Sequence, residues 1–313
     1  MTVTTVAPWR LFHTVVGSVD DLSPSLRRIR FVGPELEHFA DPGLDQRIKL
    51  LVGPWPEGLE AQAEDWYAAW VGLPDEVRPA MRTYTTRRVT HTEAGWAVDV
   101  DMVLHADAGP AGDWAARAES GDAVVLVGPD NRFEGDPGGR AFAPPAEAGE
   151  VLLVGDETAL PAVARILEDL AAADSSTLRV TALVEVPVAA DCLDLVAPPG
   201  AQVVWLVRAG RPHGVALERA VRSWTMVAAG AAQVEAPPVS DEAEELLWEV
   251  PEAGDADAAD QGVASTPLRG AYVWVAAEQG VVRGIRRHLL GEVGLDRGQV
   301  ALMGYWRLGR AQA

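Results

Sequence analysis

The 313-residue chain has a single cysteine, Cys192. One thiol excludes an intramolecular disulfide framework and any cysteine-rich zinc or iron–sulfur centre, and reads as a small apolar residue. Positive charge is also scarce: 26 Lys and Arg face 46 Asp and Glu, a formal net charge of −20. A field of that sign repels phosphate backbones and anionic lipid surfaces. No nucleic-acid partner and no membrane insertion are therefore expected, while a local basic pocket for an anion stays allowed. Long apolar runs are missing; residues 151–154 and 271–277 fall far short of a bilayer span. Residues 1–16 contain no basic region followed by an apolar core, so no secretory signal is read and a cytoplasmic protein is expected. His13, His38, His91, His213 and His288 are scattered, without H-E-x-x-H or H-x-H spacing. They read as surface or structural histidines, and no metal site is expected.

What is present falls into two patterns. Residues 26–32, 48–52, 96–104 and 123–127 are short apolar or alternating runs. In the third, Trp96, Val98, Val100, Met102 and Leu104 alternate with Ala97, Asp99, Asp101 and Val103. The second and fourth are ended by Gly53-Pro54 and Gly128-Pro129. Such strands predict a small antiparallel barrel of the six-stranded type. Residues 57–76 interrupt it with Trp66, Tyr67 and Trp70, read as an excursion at the barrel rim. After the Gly-, Pro- and Ala-rich residues 135–150 the pattern changes. Residues 151–154, 178–184, 203–207 and 272–276 read as strands, and 158–172, 215–224 and 281–290 as helices. That alternation predicts a parallel α/β sheet. Two domains are expected, residues 1–140 and 150–313. Residues 230–266 break the alternation with ten acidic residues and no Lys or Arg, and read as an acidic surface insertion. Arg283, Arg286 and Arg287 read as a solvated helix face.

Arg82-Thr83-Tyr84-Thr85-Thr86-Arg87 is the sharpest segment of the barrel half. On a strand, Arg82, Tyr84 and Thr86 share one face and Thr83, Thr85 and Arg87 the other. A flavin dinucleotide asks for a cation at its pyrophosphate, a flat wall for its ring and hydrogen bonds near N5, and this stretch can supply them. Alone, the pattern suits an ordinary exposed strand equally well. Residues 105–115 then join a strand to a helix. Gly109 permits close backbone approach and Pro110 suits a first helical turn, whose free N–H groups bind phosphate; a plain strand-to-helix turn fits too. Gly155-Asp156-Glu157-Thr158-Ala159-Leu160-Pro161 lies at the carboxyl edge of the first α/β strand, where ligands bind in such sheets. It is neither G-x-G-x-x-G nor a Walker sequence, and a simple helix cap is its other reading.

These segments are followed by Trp274-Val275-Ala276-Ala277-Glu278 and Gly304-Tyr305-Trp306-Arg307. In this order the chain resembles the siderophore-interacting protein family of flavin-dependent ferric-siderophore reductases, related to the ferredoxin–NADP reductase superfamily. The likeness covers nearly the whole chain and is most specific at GDETALP and the terminal GYWR. It implies an all-β FAD-binding antiparallel barrel followed by an α/β nucleotide-binding domain with a parallel sheet. It also implies FAD as cofactor, NADPH or NADH as electron donor, ferredoxin as another possible donor, and a ferric siderophore as acceptor, reduced so that iron(II) is released. The alternatives are another acceptor on the same fold, or a non-catalytic siderophore-binding protein, against which the intact Arg82–Thr85 stretch speaks.

Carried onto this sequence, the resemblance gives Arg82 the FAD pyrophosphate, Tyr84 the isoalloxazine, and Thr85, with Thr83 beside it, the neighbourhood of N5. Val103 and His105 would line the adenosine side, and Gly109, Pro110 and Ala111 hold the phosphates. Asp156, Glu157, Thr158 and Ala159 would sit at the junction of nicotinamide and flavin, with Glu278 on the same edge and Trp306 near the exposed flavin face. Tyr84, Thr85 and Trp306 are the expected catalytic set. Arg208 and Arg211 follow the strand at 203–207 and outnumber the single acid Glu185, which tilts the donor toward NADPH. An anionic ferric siderophore meets a chain of charge −20, so a local cationic pocket is expected from Lys49, Arg132 and Arg307. Asp130 stands where many family members carry an arginine directly after Gly-Pro, and the cation comes later, at Arg132.

Overall fold

Alternating apolar and polar positions build the first half of the chain into one antiparallel sheet. The computed structural model describes residues 6–53, 55, 66–105, 109–173, 177–228, 247–251 and 268–309. The chain divides into two units, Met1–Arg140 and Ala141–Gln312. In chain order the first holds β1 (Trp9–Ser23), β2 (Leu26–Val32), β3 (Arg47–Val52), α1 (Trp66–Val71), β4 (Ala80–Thr85), β5 (Arg88–Thr92), β6 (Gly95–Val103), α2 (Gly109–Arg117) and β7 (Ala123–Pro129). The sheet order is β4-β3-β7-β1-β2-β6-β5, a half-barrel of seven described strands rather than the six expected. The added length comes largely from β1. Bulges at Val16/Ser18 and Asp21/Ser23 break its period, so no clean alternation announces it.

Each sheet face has its own cluster. One side holds Phe12, Ile29, Phe31, Ile48, Leu50, Val98, Val100, Met102 and Leu126, closed by Ala111 and Ala115 of α2. The other gathers Leu51, Val125 and Val127 under Trp9, Leu11, Trp55, Trp66, Trp70 and Met81. The polar positions of β6 are not solvated. Asp99 and Asp101 are buried, and each accepts two hydrogen bonds, from Arg30 and Arg28 respectively, at 2.7 and 2.8 Å. Strand register sets these pairs, Arg28 opposite Asp101 and Arg30 opposite Asp99, and bidentate geometry supports them.

The second unit holds β8 (Glu150–Gly155), α3 (Leu160–Ala172), β9 (Arg179–Val186), β10 (Gln202–Val207), α4 (Val215–Ala228), β11 (Trp248–Glu249), β12 (Ala271–Glu278), α5 (Gln279–Arg286) and β13 (Val300–Trp306). The order is β10-β9-β8-β12-β13-β11, parallel throughout except for β11 against β13. β8 and β12 are buried along almost their whole length, as parallel strands covered on both faces must be. The acidic stretch 230–266 lies outside the described residues except for 247–251. The expected helix 281–290 begins two residues earlier as α5 and passes into a π-helical segment, Arg287–Val293. Its arginines are not one solvated face: Arg286 is buried and pairs with Glu249 of β11, Nη2 to Oε1 2.8 Å, while Arg287 is exposed. No described helix is long and apolar enough to cross a membrane.

Candidate functional site

In the first unit the candidate residues converge on β4, an edge strand that among the described residues pairs only with β3. Register sets Ile48 opposite Tyr84, Lys49 opposite Thr83, Leu50 opposite Arg82 and Arg47 opposite Thr85. Arg82 and Tyr84 thus share the face whose cluster Tyr84 joins, and Thr83 and Thr85 share the other. Arg82 is half-buried. It donates from Nη1 to its neighbour's carbonyl, Met81 O, at 2.9 Å, and no carboxylate among the described residues pairs with it. Burial lowers its pKa and raises that of the Tyr84 phenol, so both are partly withdrawn from water.

Helix α2 packs against β3, β4 and β6 and begins at Gly109, with Pro110 next and Ala111 buried in the core. Gly109 has φ +63, in the left-handed region that suits glycine, and nothing stands within 4 Å of where a Cβ would be. An approachable helix start and an unpaired, half-buried guanidinium on the strand beneath fit the phosphates of a dinucleotide. Val103 ends β6, half-buried, and His105 is exposed; residues 106–108 lie outside the described residues.

In the second unit, parallel pairing brings the carboxyl ends of five strands to one edge. Gly155 ends β8; a Cβ there would come within 2.7 Å of Ala159 Cβ and 3.3 Å of Ala276 O, so only glycine lets the chain turn into α3. Asp156 follows, buried, and ties the edge together. Its Oδ1 accepts from Thr158 N at 2.9 Å and Thr158 Oγ1 at 2.5 Å; its Oδ2 accepts from Glu278 N at 2.9 Å and Trp306 Nε1 at 2.8 Å. Burial first, and the neighbouring Glu157 second, push its pKa up to about 6. The Trp306 ring meets His213 edge-on, with centroids 5.0 Å apart. Glu278 caps α5, accepting from Gly280 N and Val281 N, and also accepts from Leu308 N.

Arg208 does not reach toward solvent. Its guanidinium lies between two buried carboxylates, with Nη2–Glu157 Oε1 at 2.6 Å, Nη1–Glu157 Oε2 at 2.9 Å and Nη1–Glu185 Oε1 at 3.1 Å. Glu185 also accepts from Gly214 N at 3.0 Å. The exposed Arg211 is the cation left at the end of β10. The three expected siderophore-binding cations differ in setting. Lys49 is half-buried and donates from Nζ to Thr83 Oγ1 at 2.6 Å. Arg132 folds back on Asp130, Nε–Oδ1 2.9 Å and Nη2–Oδ2 2.5 Å. Arg307 is half-buried just past β13 in the second unit. The sequence presents His213 as a surface or structural histidine, yet it stands edge-on to Trp306 at the carboxyl edge of the sheet, with its Nδ1 buried and unbonded. No spacing in the sequence marks it; only the sheet order brings residue 213 to residue 306.

Residues 148–309 match the family described as siderophore-interacting protein, and residues 15–133 match the siderophore-interacting FAD-binding domain. The chain is similar to an uncharacterized protein of Mycobacterium tuberculosis, 30% identical over 303 residues that cover 93% of this chain and 88% of that one. It is 29% identical over 163 residues to an Escherichia coli protein named NADPH-dependent ferric-chelate reductase, 51% of this chain and 58% of that one. Among solved structures, a siderophore utilization protein from T. fusca superposes with a TM-score of 0.65 at 27% identity, over 97% of this chain and 95% of that one. A ferredoxin NADP+ reductase from Neisseria gonorrhoeae with bound FAD and NADP has a TM-score of 0.54 at 13% identity, covering 95% and 99%, a likeness of fold alone.

Proposed function

The chain belongs to the siderophore-interacting protein family, and from that premise we propose that it is an FAD-dependent reductase that takes electrons from NAD(P)H and delivers them to iron(III) held by a siderophore. Iron(II) binds the hard oxygen donors of such chelators less strongly and is released. The observation that carries this reading is Arg82, a half-buried cation without a carboxylate partner among the described residues, one alternation from Tyr84 on an edge strand beside α2. The name of the E. coli relative supports the acceptor class. NAD(P)H is a cytoplasmic currency, and we place the reaction there.

The first unit is assigned to FAD. Arg82 and the start of α2 hold its phosphates, Tyr84 offers a ring wall, and Thr83 and Thr85 offer hydroxyls on the opposite alternation of β4. FAD, when bound, supplies the conversion of a two-electron donation into single-electron delivery. The second unit is assigned to the nicotinamide donor. There Asp156 fixes Trp306 by accepting its indole N–H and holds the backbone at Glu278, so three strand ends keep one arrangement. A pre-set edge spares the ordering cost of binding. Because Arg208 is held by Glu157 and Glu185, Arg211 is the cation offered to an adenosine phosphate. Lys49 offers positive charge to an anionic chelate against the chain's net −20.

The test is spectroscopic. The protein loaded with FAD should show a flavin spectrum that bleaches anaerobically with NADPH or NADH and recovers when a ferric siderophore is added, with iron(II) trapped by a chromogenic chelator in step. A protein that takes up no FAD, or whose flavin is reduced but never reoxidised by ferric chelates, would sink the reading.

A further inference from the structure

The turn after the first strand of an α/β sheet is the usual seat of a dinucleotide's diphosphate, which lies on the free N–H groups of a helix start. After β8 those groups are taken. Asp156 Oδ1 accepts from Thr158 N at 2.9 Å, and Asp156 O accepts from Ala159 N at 3.0 Å and Leu160 N at 3.1 Å. Pro161 comes next and has no N–H to give. The start of α5 is filled in the same way. Glu278 folds its own carboxylate over that turn, Oε2 accepting from Gly280 N at 2.5 Å and from Val281 N at 3.2 Å. A Cβ at Gly280 would stand 2.9 Å from that oxygen, so glycine leaves the carboxylate its place. Ahead of α4, Glu185 Oε1 accepts from Gly214 N at 3.0 Å.

Each of the three described helices that begin at the carboxyl edge of the sheet thus meets a carboxylate of this chain. The charge points the same way. Asp156, Glu157, Glu185 and Glu278 bring four carboxyl groups to one edge, and the buried Arg208 is held by Glu157 and Glu185. A diphosphate brought here gives up water and meets carboxylate oxygens where it needs donors. Arg211, exposed at the end of β10, is offered to a 2′-phosphate, which NADH and ADP-ribose lack.

We infer that this edge is closed to the donor's diphosphate, with Asp156 and Glu278 as specificity-determining residues, and that it selects the donor by its dihydronicotinamide end. The inference rests on the NAD(P)H-dependent reading and deepens it, for it names the half of the donor that the second unit recognises.

The test compares whole and truncated donors on FAD-loaded protein, whose filled FAD site leaves added ADP-ribose to report on the second unit. One charge-assisted hydrogen bond is worth about 13- to 160-fold in affinity. A gripped diphosphate should therefore raise kcat/KM for flavin bleaching by NADH at least that far above the value for reduced nicotinamide riboside. The expected advantage is under about 10-fold. Raising salt from about 50 to about 300 mM should leave kcat/KM for NADH level or raise it, because screening weakens repulsion. ADP-ribose, followed directly by NMR line broadening, should bind more weakly than about 1 mM. Glu278→Ser keeps a helix cap and removes the charge, so it should tighten ADP-ribose about 2- to 5-fold, whereas Glu278→Asp should not. Misfolding does not produce such a gain. An advantage of NADH of about 10-fold or more, a fall with salt, ADP-ribose bound more tightly than about 1 mM, or no gain in Glu278→Ser overturns the inference. If neither donor bleaches the flavin while ADP-ribose binds weakly and gains in Glu278→Ser, the closed edge stands and the reductase reading falls. Bleaching by both donors, reoxidation by a ferric siderophore and tight ADP-ribose binding do the reverse.

Discussion

Removing the Arg208 guanidinium tests whether it is a structural cation or a nucleotide ligand. Glu157, Glu185 and Arg208 are 2%, 1% and 8% exposed, so Arg208→Met leaves two carboxylates in a dry site with no counter-charge. Breaking a buried ion pair from one side costs about 3–5 kcal/mol. Against a typical stability of about 5–15 kcal/mol, that is about a fifth or more of the whole. Because the chain has two units, a single unfolding midpoint is not a clean measure. Hydrogen exchange read by mass spectrometry on peptides covering β8 and β9 reports the second unit directly. Protection there should fall by the equivalent of those few kcal/mol. The triple variant Glu157→Gln, Glu185→Gln, Arg208→Met removes both signs and should recover most of the loss. A loss under about 1 kcal/mol, accompanied by a selective drop in kcat/KM for NADPH over NADH, would refute this account and return Arg208 to the phosphate.

Two further outcomes follow from other sites. Arg82→Ala removes a charge-assisted contact worth about 1.5–3 kcal/mol and should weaken FAD binding by roughly one to two decades, measured by flavin fluorescence on titration; unchanged affinity removes Arg82 from the phosphate site. Asp156, with a pKa raised to about 6, is a buried carboxyl best tolerated neutral. Its contribution to stability is full below the unfolded value near 4 and is lost as pH rises through about 6. The difference in hydrogen-exchange protection of β8 peptides between wild type and Asp156→Asn should therefore shift against wild type by about 2 kcal/mol from about pH 4 to about pH 7.5. A flat difference across that window would mean that Asp156 titrates as an ordinary aspartate.

Much of the architecture is written locally. The strand at Leu26–Val32 is legible because alternation needs only its own seven residues. Helix α3 is legible because Leu160, Val163, Ile166, Leu167 and Leu170 repeat at helical spacing. Arg82 and Tyr84 share a face in the sequence and in the sheet, for period two needs no partner. Gly155 and Asp156 mark the turn after β8 because a close approach and a cap each demand one residue type.

Which charges meet was decided by tertiary structure. Asp99 and Asp101 look like a solvent face until register sets arginines opposite them. Arg208 reads as a free cation at a strand end, yet its partners lie 51 and 23 residues away, brought to it by the order β10-β9-β8. Lys49 meets Thr83 across 34 residues, and Trp306 meets Asp156 across 150. Arg132 is the local exception: Asp130, two residues back, takes the guanidinium that the sequence seemed to offer outward. Periodicity and turn chemistry are properties of neighbours along the chain, so the sequence alone determined the regular elements and the turn after β8, but not the bulged β1. Pairing of charges depends on strand register and sheet order, which exist only once distant segments are packed, and so the fold alone decided which cations stay available to bind.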